Sequence, residues 1–577
     1  MDFYFVRIEE ARIIAGNLHK RLGRMGGPSE GAGLAHCPDR SGAMTDTVLL
    51  CFALVAVTAA CAVASRRLRA PYSIVLVITG IALAFVPGLP KVELDPQVVM
   101  LLFLPPLLYM AGVSMSWRGF RDNLRPIALL AVGCVLFTAC TVAAVAHWAM
   151  GLPWGVAFVL GAVVSPPDVL APMAIARRLQ VPKRILTILE GEGLVNDATA
   201  LILFRFAVAA VGTGAFSIGH AAGAFVLIVV GETLYGVLVG WAMLRLRRGV
   251  REPMVEITLS LLTPYAAFWP PEMMGGSGVL AAVSAGLYVS WKGPGLISAS
   301  TRLHGFFFWG LVVYLAEALL FLLTGLQART ILEGLGDIPW PRLVPHGAIV
   351  SLVVVMTRFI WVYPVTYLPR WVSRAIGFRK PALPWRAPFV IAFTGIRGVV
   401  SLAAALSIPL TVAGGQPFPE RNPVLFLTLC VILATLLGQG SLLPLVIRRL
   451  GLAEQGRRER AKDEQRTLRA RVDAVRAALA RLETLIERGT LPADLAGALR
   501  SRHEDRLRRL ERHRVSDGAD AVVKRSGDWE RQLIDAERER TQQLHHAGAV
   551  SDEARRQIER ELDLEEARVA QAGRDPA

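Results

Sequence analysis

The chain has 577 residues, of which 53% are hydrophobic and only 19% are charged. Its mean hydropathy of +0.45 excludes an ordinary soluble protein, because a soluble chain of this length carries more charge and divides into several domains. The net charge of +16 does not indicate nucleic-acid binding, because Lys and Arg lie mainly between apolar runs and near the C terminus. Membrane lipid headgroups are the expected partner for such residues.

Apolar runs of about 17–25 residues predict helices that span a membrane, and the chain has about thirteen of them. We therefore expect an all-α polytopic membrane protein. The approximate limits of the spans are 46–65, 71–90, 97–116, 126–149, 153–176, 185–211, 218–244, 254–270, 277–291, 305–327, 346–368, 387–411 and 423–446.

The loops predict the orientation of the chain. The connections after odd-numbered spans are rich in Lys and Arg, whereas three of those after even-numbered spans, 151–154, 212–217 and 269–278, contain none. Because basic loops stay in the cytoplasm, this alternation predicts an N terminus outside and a cytoplasmic C terminus.

Two segments differ in composition from the predicted transmembrane domain, residues 44–450. Residues 1–43 carry six basic residues and lack the apolar core of a signal peptide, so we expect an N-terminal extension that precedes a physiological start at Met44. Residues 451–577 are dense in Arg, Glu, Ala and Leu at helical spacing, which predicts charged amphipathic helices. Such a cytoplasmic tail is compatible with a short coiled coil, a self-packed regulatory domain, a membrane-surface clamp or a solvated bundle without chemistry.

The sixth span has a polar face. Glu190, Glu192, Asn196 and Asp197 lie in a segment otherwise apolar enough to cross a bilayer, where each charge costs about 2.5–3.5 kcal/mol on insertion scales. On a helix, Glu192 and Asn196 share one face because they are four residues apart. A buried ion pair explains one glutamate but not the whole face, so these residues predict an ion pathway.

Two other spans are interrupted near their middle. In the fifth, Asp168 follows two prolines, which break a helix, and the freed backbone carbonyls and Asp168 are candidate cation ligands. In the twelfth, Arg397 lies between Gly395 and Gly398 and needs an anionic partner. If the seventh span links two inverted six-helix repeats, the interruptions are equivalent and predict crossed broken helices at mid-membrane. Glu317 and Arg358, on spans ten and eleven, are expected to pair.

At these residues the chain resembles the monovalent cation/proton antiporters, specifically the sodium/proton exchanger branch of the NhaP type, over about residues 46–448. The matching motifs are EGEGLVNDATA (190–200), GAVVSPPDVLAP (161–172), GIRGVVSLAAAL (395–406) and LPPLLY (104–109). The resemblance implies a bacterial inner-membrane protein, a homodimer, that exchanges Na⁺, Li⁺ or K⁺ for H⁺ and needs no cofactor.

The resemblance also implies residue roles. Asp197 exchanges the cation and the proton, with Asp168 as its partner at the Na⁺ site. Asn196 and the backbone of Pro167 support this site, and Glu192 forms a structural ion pair with Arg397. The Asn-Asp sequence implies electroneutral exchange of one cation for one proton.

The chain departs from the family pattern at Gly193, where a serine is usual, and at Pro167, where a threonine is usual. The preference among Na⁺, K⁺ and Li⁺ therefore stays open, as does the ligand of the tail. The alternatives are a K⁺/H⁺ antiporter, another proton-coupled carrier or a channel. The sequence does not favour a channel, because no filter-like loop stands out. It does not favour a membrane enzyme either, because it has no HExxH or GxSxG motif in the required context.

Overall fold

The computed structural model describes residues 40–566 except 69, 88, 90–94, 214–217, 251, 337, 376–383, 413–414, 490, 516–519, 548–553, 556 and 560. Residues 1–39 of the predicted N-terminal extension therefore lie outside the described residues. The chain divides into one unit up to Ala60 and a second from Cys61 onward. Apart from the bounds of the first helix, the statements below concern the second unit.

A helix, or a pair of half-helices, lies at each of the thirteen predicted spans, and we number the helices accordingly. They are α1 Arg40–Leu68, α2 Tyr72–Ala84, α3 Pro96–Ser114, α4 Leu124–Met150, α5a Trp154–Val164, α5b Leu170–Arg178, α6 Lys183–Thr213, α7 Ile218–Arg248, α8 Pro253–Met273, α9 Val279–Lys292, α10 Ala299–Gly334, α11 Trp340–Ala375, α12a Arg386–Phe393, α12b Val399–Leu406 and α13 Arg421–Arg449.

Within the described residues, seven helices contain a stretch long and apolar enough to cross a membrane. They are α3, α4, α6, α7, α10, α11 and α13, and α2, α5a and α9 are shorter apolar helices. The chain is thus an all-helical, multi-pass membrane protein. Its long spans match the apolar runs because only a helix satisfies its backbone hydrogen bonds internally within lipid.

Glycine contacts bring the helices close together. Gly80 of α2 lies against the backbone of Leu322 and Gly325 in α10. Gly112 of α3 and Gly286 of α9 meet in the same way. Small residues at helix crossings allow close backbone packing, which drives helix association in membranes. These two crossings hold α2 close to α10 and α3 close to α9.

The described part of the tail packs on itself. Helices α14 (Leu452–Glu487) and α15 (Ala493–Val515) are in contact, and Arg476 donates to Glu511 between them at 2.9 Å. Val472, Val475 and Leu482 are the buried apolar side chains of α14 beyond its first turns. A third helix, α16 (Asp520–His546), follows. This arrangement favours the self-packed alternative for the tail.

Candidate functional site

The first interruption holds Asp168. Helix α5a ends at Val164 and α5b begins at Leu170, because Pro166 and Pro167 have no amide hydrogen for helical bonding. One oxygen of Asp168, Oδ1, accepts a hydrogen bond from the backbone N–H of Leu170 at 2.8 Å. The other, Oδ2, is buried and has no hydrogen-bond partner among the described residues. Asp168 therefore keeps one oxygen available for a ligand.

The second interruption touches the first. Residues 394–398 separate α12a from α12b, and the backbone N–H of Asp168 donates to the carbonyl of Ile396 at 2.7 Å. A Cβ atom at Gly398 would lie 1.9 Å from Oδ2 of Asp168. Only glycine fits there, so the crossing of the two broken segments depends on this residue.

Helix α6 completes the site. Nδ2 of Asn196 donates to the carbonyl of Pro167 at 2.7 Å, which ties α6 to the first interruption. Oδ1 of Asn196 is buried without a partner among the described residues. Asp197 is half-buried, and its charge interacts with that of Asp168. The structure thus links Asp168, Asn196 and the Pro167 carbonyl, with Asp197 within electrostatic range. Their oxygen atoms are of the kind that hard cations prefer.

The ion pair of Glu192 differs from the one expected. Both carboxylate oxygens of Glu192 accept hydrogen bonds from the guanidinium of Arg358 on α11, with Nη2–Oε2 at 2.7 Å. Nε of Arg358 donates to the carbonyl of Ile391 at 3.0 Å. Two predictions are therefore wrong: that Glu192 pairs with Arg397, and that Arg358 pairs with Glu317. The physical reason is that α11 places Arg358 directly beside Glu192, which saturates both oxygens of that carboxylate.

Arg397 instead supports the second interruption through its backbone. Its N–H donates to Oγ1 of Thr435 on α13 at 2.9 Å, and Nε2 of Gln439 donates to the carbonyl of Phe393 at 3.3 Å. Both supporting residues lie in the π-helical segment Ala434–Gln439, a local helix form that is frequent at functional sites. Nε and Nη1 of Arg397 are buried without partners in the described part of the chain.

The remaining candidate acids lie apart from the pair of Glu192 and Arg358. Glu190 forms an ion pair with Arg177 at the end of α5b. Glu317 of α10 lies within electrostatic range of Asp168 and Arg177. The sequence did not indicate that Glu317 lies this near to Asp168.

Sequence reasoning also missed Thr435 and Gln439 as supports and Arg358 as the partner of Glu192. The available signal was the presence of polar side chains in otherwise apolar spans.

The place of the usual serine hydroxyl is occupied by an apolar side chain. A Cβ at Gly193 would lie 2.3 Å from Cγ2 of Val169. Val169 follows Asp168 directly, so its packing against Gly193 fixes the first interruption on α6. The side chain of Val169 thus fills the space that a serine side chain at position 193 would occupy.

Comparisons with known proteins agree on one family. Residues 53–449 match the model for the transmembrane sodium/hydrogen exchanger. The chain is 36% identical to an uncharacterized Na⁺/H⁺ exchanger of Mycobacterium bovis, over 91% of this chain and 96% of that protein. It is also 36% identical to a sodium, potassium, lithium and rubidium/H⁺ antiporter of Bacillus pumilus, over 65% of this chain and 57% of that protein.

Among solved structures, the sodium proton antiporter MjNhaP1 from Methanocaldococcus jannaschii has a similar fold. The TM-score is 0.55 at 18% sequence identity, and the match covers 70% of this chain and 99% of that one.

Proposed function

Because the chain belongs to the sodium/hydrogen exchanger family, we propose that it exchanges Na⁺ for H⁺ across the bacterial inner membrane at Asp168 and Asp197. The chain is a transporter and not an enzyme. The observation that carries the proposal lies where the two broken helices cross. There Oδ2 of Asp168 and Oδ1 of Asn196 have no partner among the described residues, and Asp197 is near enough for its charge to interact with that of Asp168.

Competition at this site produces antiport. Two carboxylates close together repel each other, and a proton or a metal cation relieves that repulsion. A charged, empty site crosses the apolar barrier only at high cost, whereas a neutralised one crosses readily. The carrier therefore reorients when loaded with either ion and stalls when empty, which obliges the two ions to move in opposite directions.

We propose that the helices form two inverted six-helix halves linked by α7, with alternating access on the two sides. The position of the interruptions in the fifth and twelfth spans supports this architecture. The uncharged Asn196 beside Asp197 supports electroneutral exchange of one cation for one proton.

The first prediction is that Asp197→Asn abolishes cation-driven proton efflux. An amide carries no exchangeable charge, so it cannot alternate between a proton and a cation. The proton efflux is measured in acidified inside-out vesicles by fluorescence dequenching after addition of Na⁺, Li⁺ or K⁺. Asp122→Asn, at an exposed aspartate that ends the short helix Trp117–Asp122, is the matched control and should retain wild-type exchange. Retained exchange in the Asp197 variant would refute the assignment.

The second candidate is K⁺/H⁺ exchange at the same site. The Bacillus pumilus relative is named as an antiporter of several alkali cations, and the apolar contact of Val169 with Gly193 leaves fewer side-chain oxygens at the site. The same vesicle assay separates these alternatives. The cation that the site prefers should give half-maximal dequenching at the lowest concentration. An imposed membrane potential should leave the rate of electroneutral exchange unchanged.

A further inference from the structure

The beginning of the tail helix α14 rests on the short connection between α5b and α6. This connection, residues 179–182, joins the helix that follows Asp168 to the helix that carries Asp197. Its conformation is compact: the N–H of Gln180 donates to the carbonyl of Arg177, that of Val181 donates to Ala176, and Gln180 has a φ of 56°. We name it the site loop.

Three contacts join α14 to the site loop and to the first residue of α6. Leu452 is buried in one apolar cluster with Val181 and with Leu443 and Ile447 of α13. One turn later, Gly456 is buried against the backbone of Gln180. Two turns further, Nζ of Lys183, the first residue of α6, forms an ion pair with Asp463.

The contact at Gly456 admits no side chain. A Cβ at this position would lie 1.6 Å from the carbonyl oxygen of Gln180 and 2.8 Å from its carbonyl carbon. Because both neighbours are backbone atoms, a side chain at 456 displaces α14 from the site loop rather than finding another rotamer. Glycine in a helix costs about 1 kcal/mol relative to alanine, so this residue lowers the stability of α14 itself and permits the contact.

The carboxylate of Asp463, at the end of this contact, stays ionised at neutral pH. The hydrogen bond and the charge of Lys183 lower the pKa of Asp463. A carboxylate with a lowered pKa loses its stabilising contribution only as the pH falls through that lowered value. The contact is therefore present at neutral pH, and cytoplasmic salt weakens it more readily than a change in pH does.

We propose that the first three turns of α14 are a positioning element of the ion site. By holding the site loop, they fix α5b and α6 relative to each other, and with them the spacing of Asp168 and Asp197. Leu452, Gly456 and Asp463 are positioning residues that touch neither transported ion. A movement of the hairpin of α14 and α15 is thereby converted into a change in cation affinity. The functional part of this inference rests on the proposed exchange activity.

The decisive experiment compares two alanine substitutions in the full-length chain. Gly456→Ala collides with Gln180, whereas Gly497→Ala in α15 has no atom within 4 Å of the new Cβ. Both substitutions favour the helix itself, so loss of tail folding cannot account for a difference between them. We expect Gly456→Ala to raise the cation concentration for half-maximal exchange about fivefold, the lower range of coupling between sites, at a nearly unchanged maximal rate. Gly497→Ala should match the wild type in both quantities.

Limited trypsin digestion of the same vesicles reports the contact directly. Arg457 and Arg458 are already exposed and Arg460 is half-buried, so cleavage after them depends on access to the helix backbone. Release of α14 from the site loop should speed this cleavage in the Gly456 variant but not in the Gly497 variant. Unchanged cleavage, or unchanged half-maximal concentration despite faster cleavage, would overturn the proposal. If the wild type exchanges no cation, the proposed function fails instead, and the cleavage rates still decide whether α14 is docked.

A charge exchange tests the ion pair separately. Lys183→Asp and Asp463→Lys should each raise the half-maximal cation concentration about twofold, a small effect because the pair is largely exposed. The double variant should return to the wild-type value. An additive loss in the double variant would show that the pair does not position the site loop.

Discussion

Glu192 is fully buried in α6, and its partner Arg358 is only 2% exposed. The pair is bidentate, and a third guanidinium nitrogen is satisfied by Ile391. Removing one member of such a pair leaves an uncompensated buried charge, which costs about 3–5 kcal/mol. The pair is therefore a structural element of the bundle that surrounds the site, and its loss should impair folding before it impairs selectivity.

We predict that Arg358→Met and Glu192→Gln each lower the thermal stability of the purified protein strongly, whereas the double variant Glu192→Gln with Arg358→Met loses less than either alone. The double variant buries no unpaired charge. The stability of each variant is measured in detergent by thermal unfolding, with size-exclusion chromatography as the readout. Arg177→Ala, which breaks only the partly exposed pair with Glu190, is the control and should cost about 0–1 kcal/mol. Equal stability of the Arg358 variant and this control would contradict the structural role.

At this scale the sequence predicted that Glu192 requires a cationic partner, because an isolated charge is costly within a membrane. It did not predict which arginine, since Arg358 and Arg397 both lie in apolar spans. The choice depends on which helix packs beside α6, and a sequence pattern within one helix carries no information on its neighbours.

Among the elements, the first interruption and α6 fit each other through Val169 and Gly193. A side chain at 193 collides with a branched side chain at 169. Reducing the residue at 169 to alanine removes the atoms that collide. The contact thus links the ligand set of the site to the packing of two elements.

We predict that Gly193→Ser alone impairs exchange, because the new side chain pushes Val169 and the adjoining Asp168 away from α6. Gly193→Ser with Val169→Ala should restore exchange and lower the Na⁺ concentration for half-maximal dequenching, since the hydroxyl supplies an additional oxygen ligand. Val169→Ala alone is the control. If the single Gly193 variant already behaved like the double variant, the steric account would be wrong.

The interruptions themselves were predictable, because Pro166, Pro167, Gly395 and Gly398 are poor residues for a helix interior. The hydrogen bond from Asp168 to Ile396 and the support from Thr435 were not predictable. They join segments far apart in the sequence, and no local pattern specifies which carbonyl a freed amide meets.

For the whole molecule, the distribution of Lys and Arg among the loops is the feature that bears on orientation. The last turn of α7 holds Arg245, Arg247 and Arg248, whereas 151–154 and 269–278 contain no basic residue. The chain also continues from α13 directly into the charged helix α14. Both observations favour the side of the site loop and of the tail as the cytoplasmic one.

We predict that reporter fusions follow this alternation. Green fluorescent protein should fluoresce when fused after Arg248 or Ala577, because it folds in the cytoplasm. Alkaline phosphatase should be active only when fused after Gly151 or Gly275, because it requires the oxidising exterior. The two fusion sets control for each other, since every position receives both reporters. Phosphatase activity at Ala577 would place the tail outside and would also remove the site loop from the reach of cytoplasmic salt.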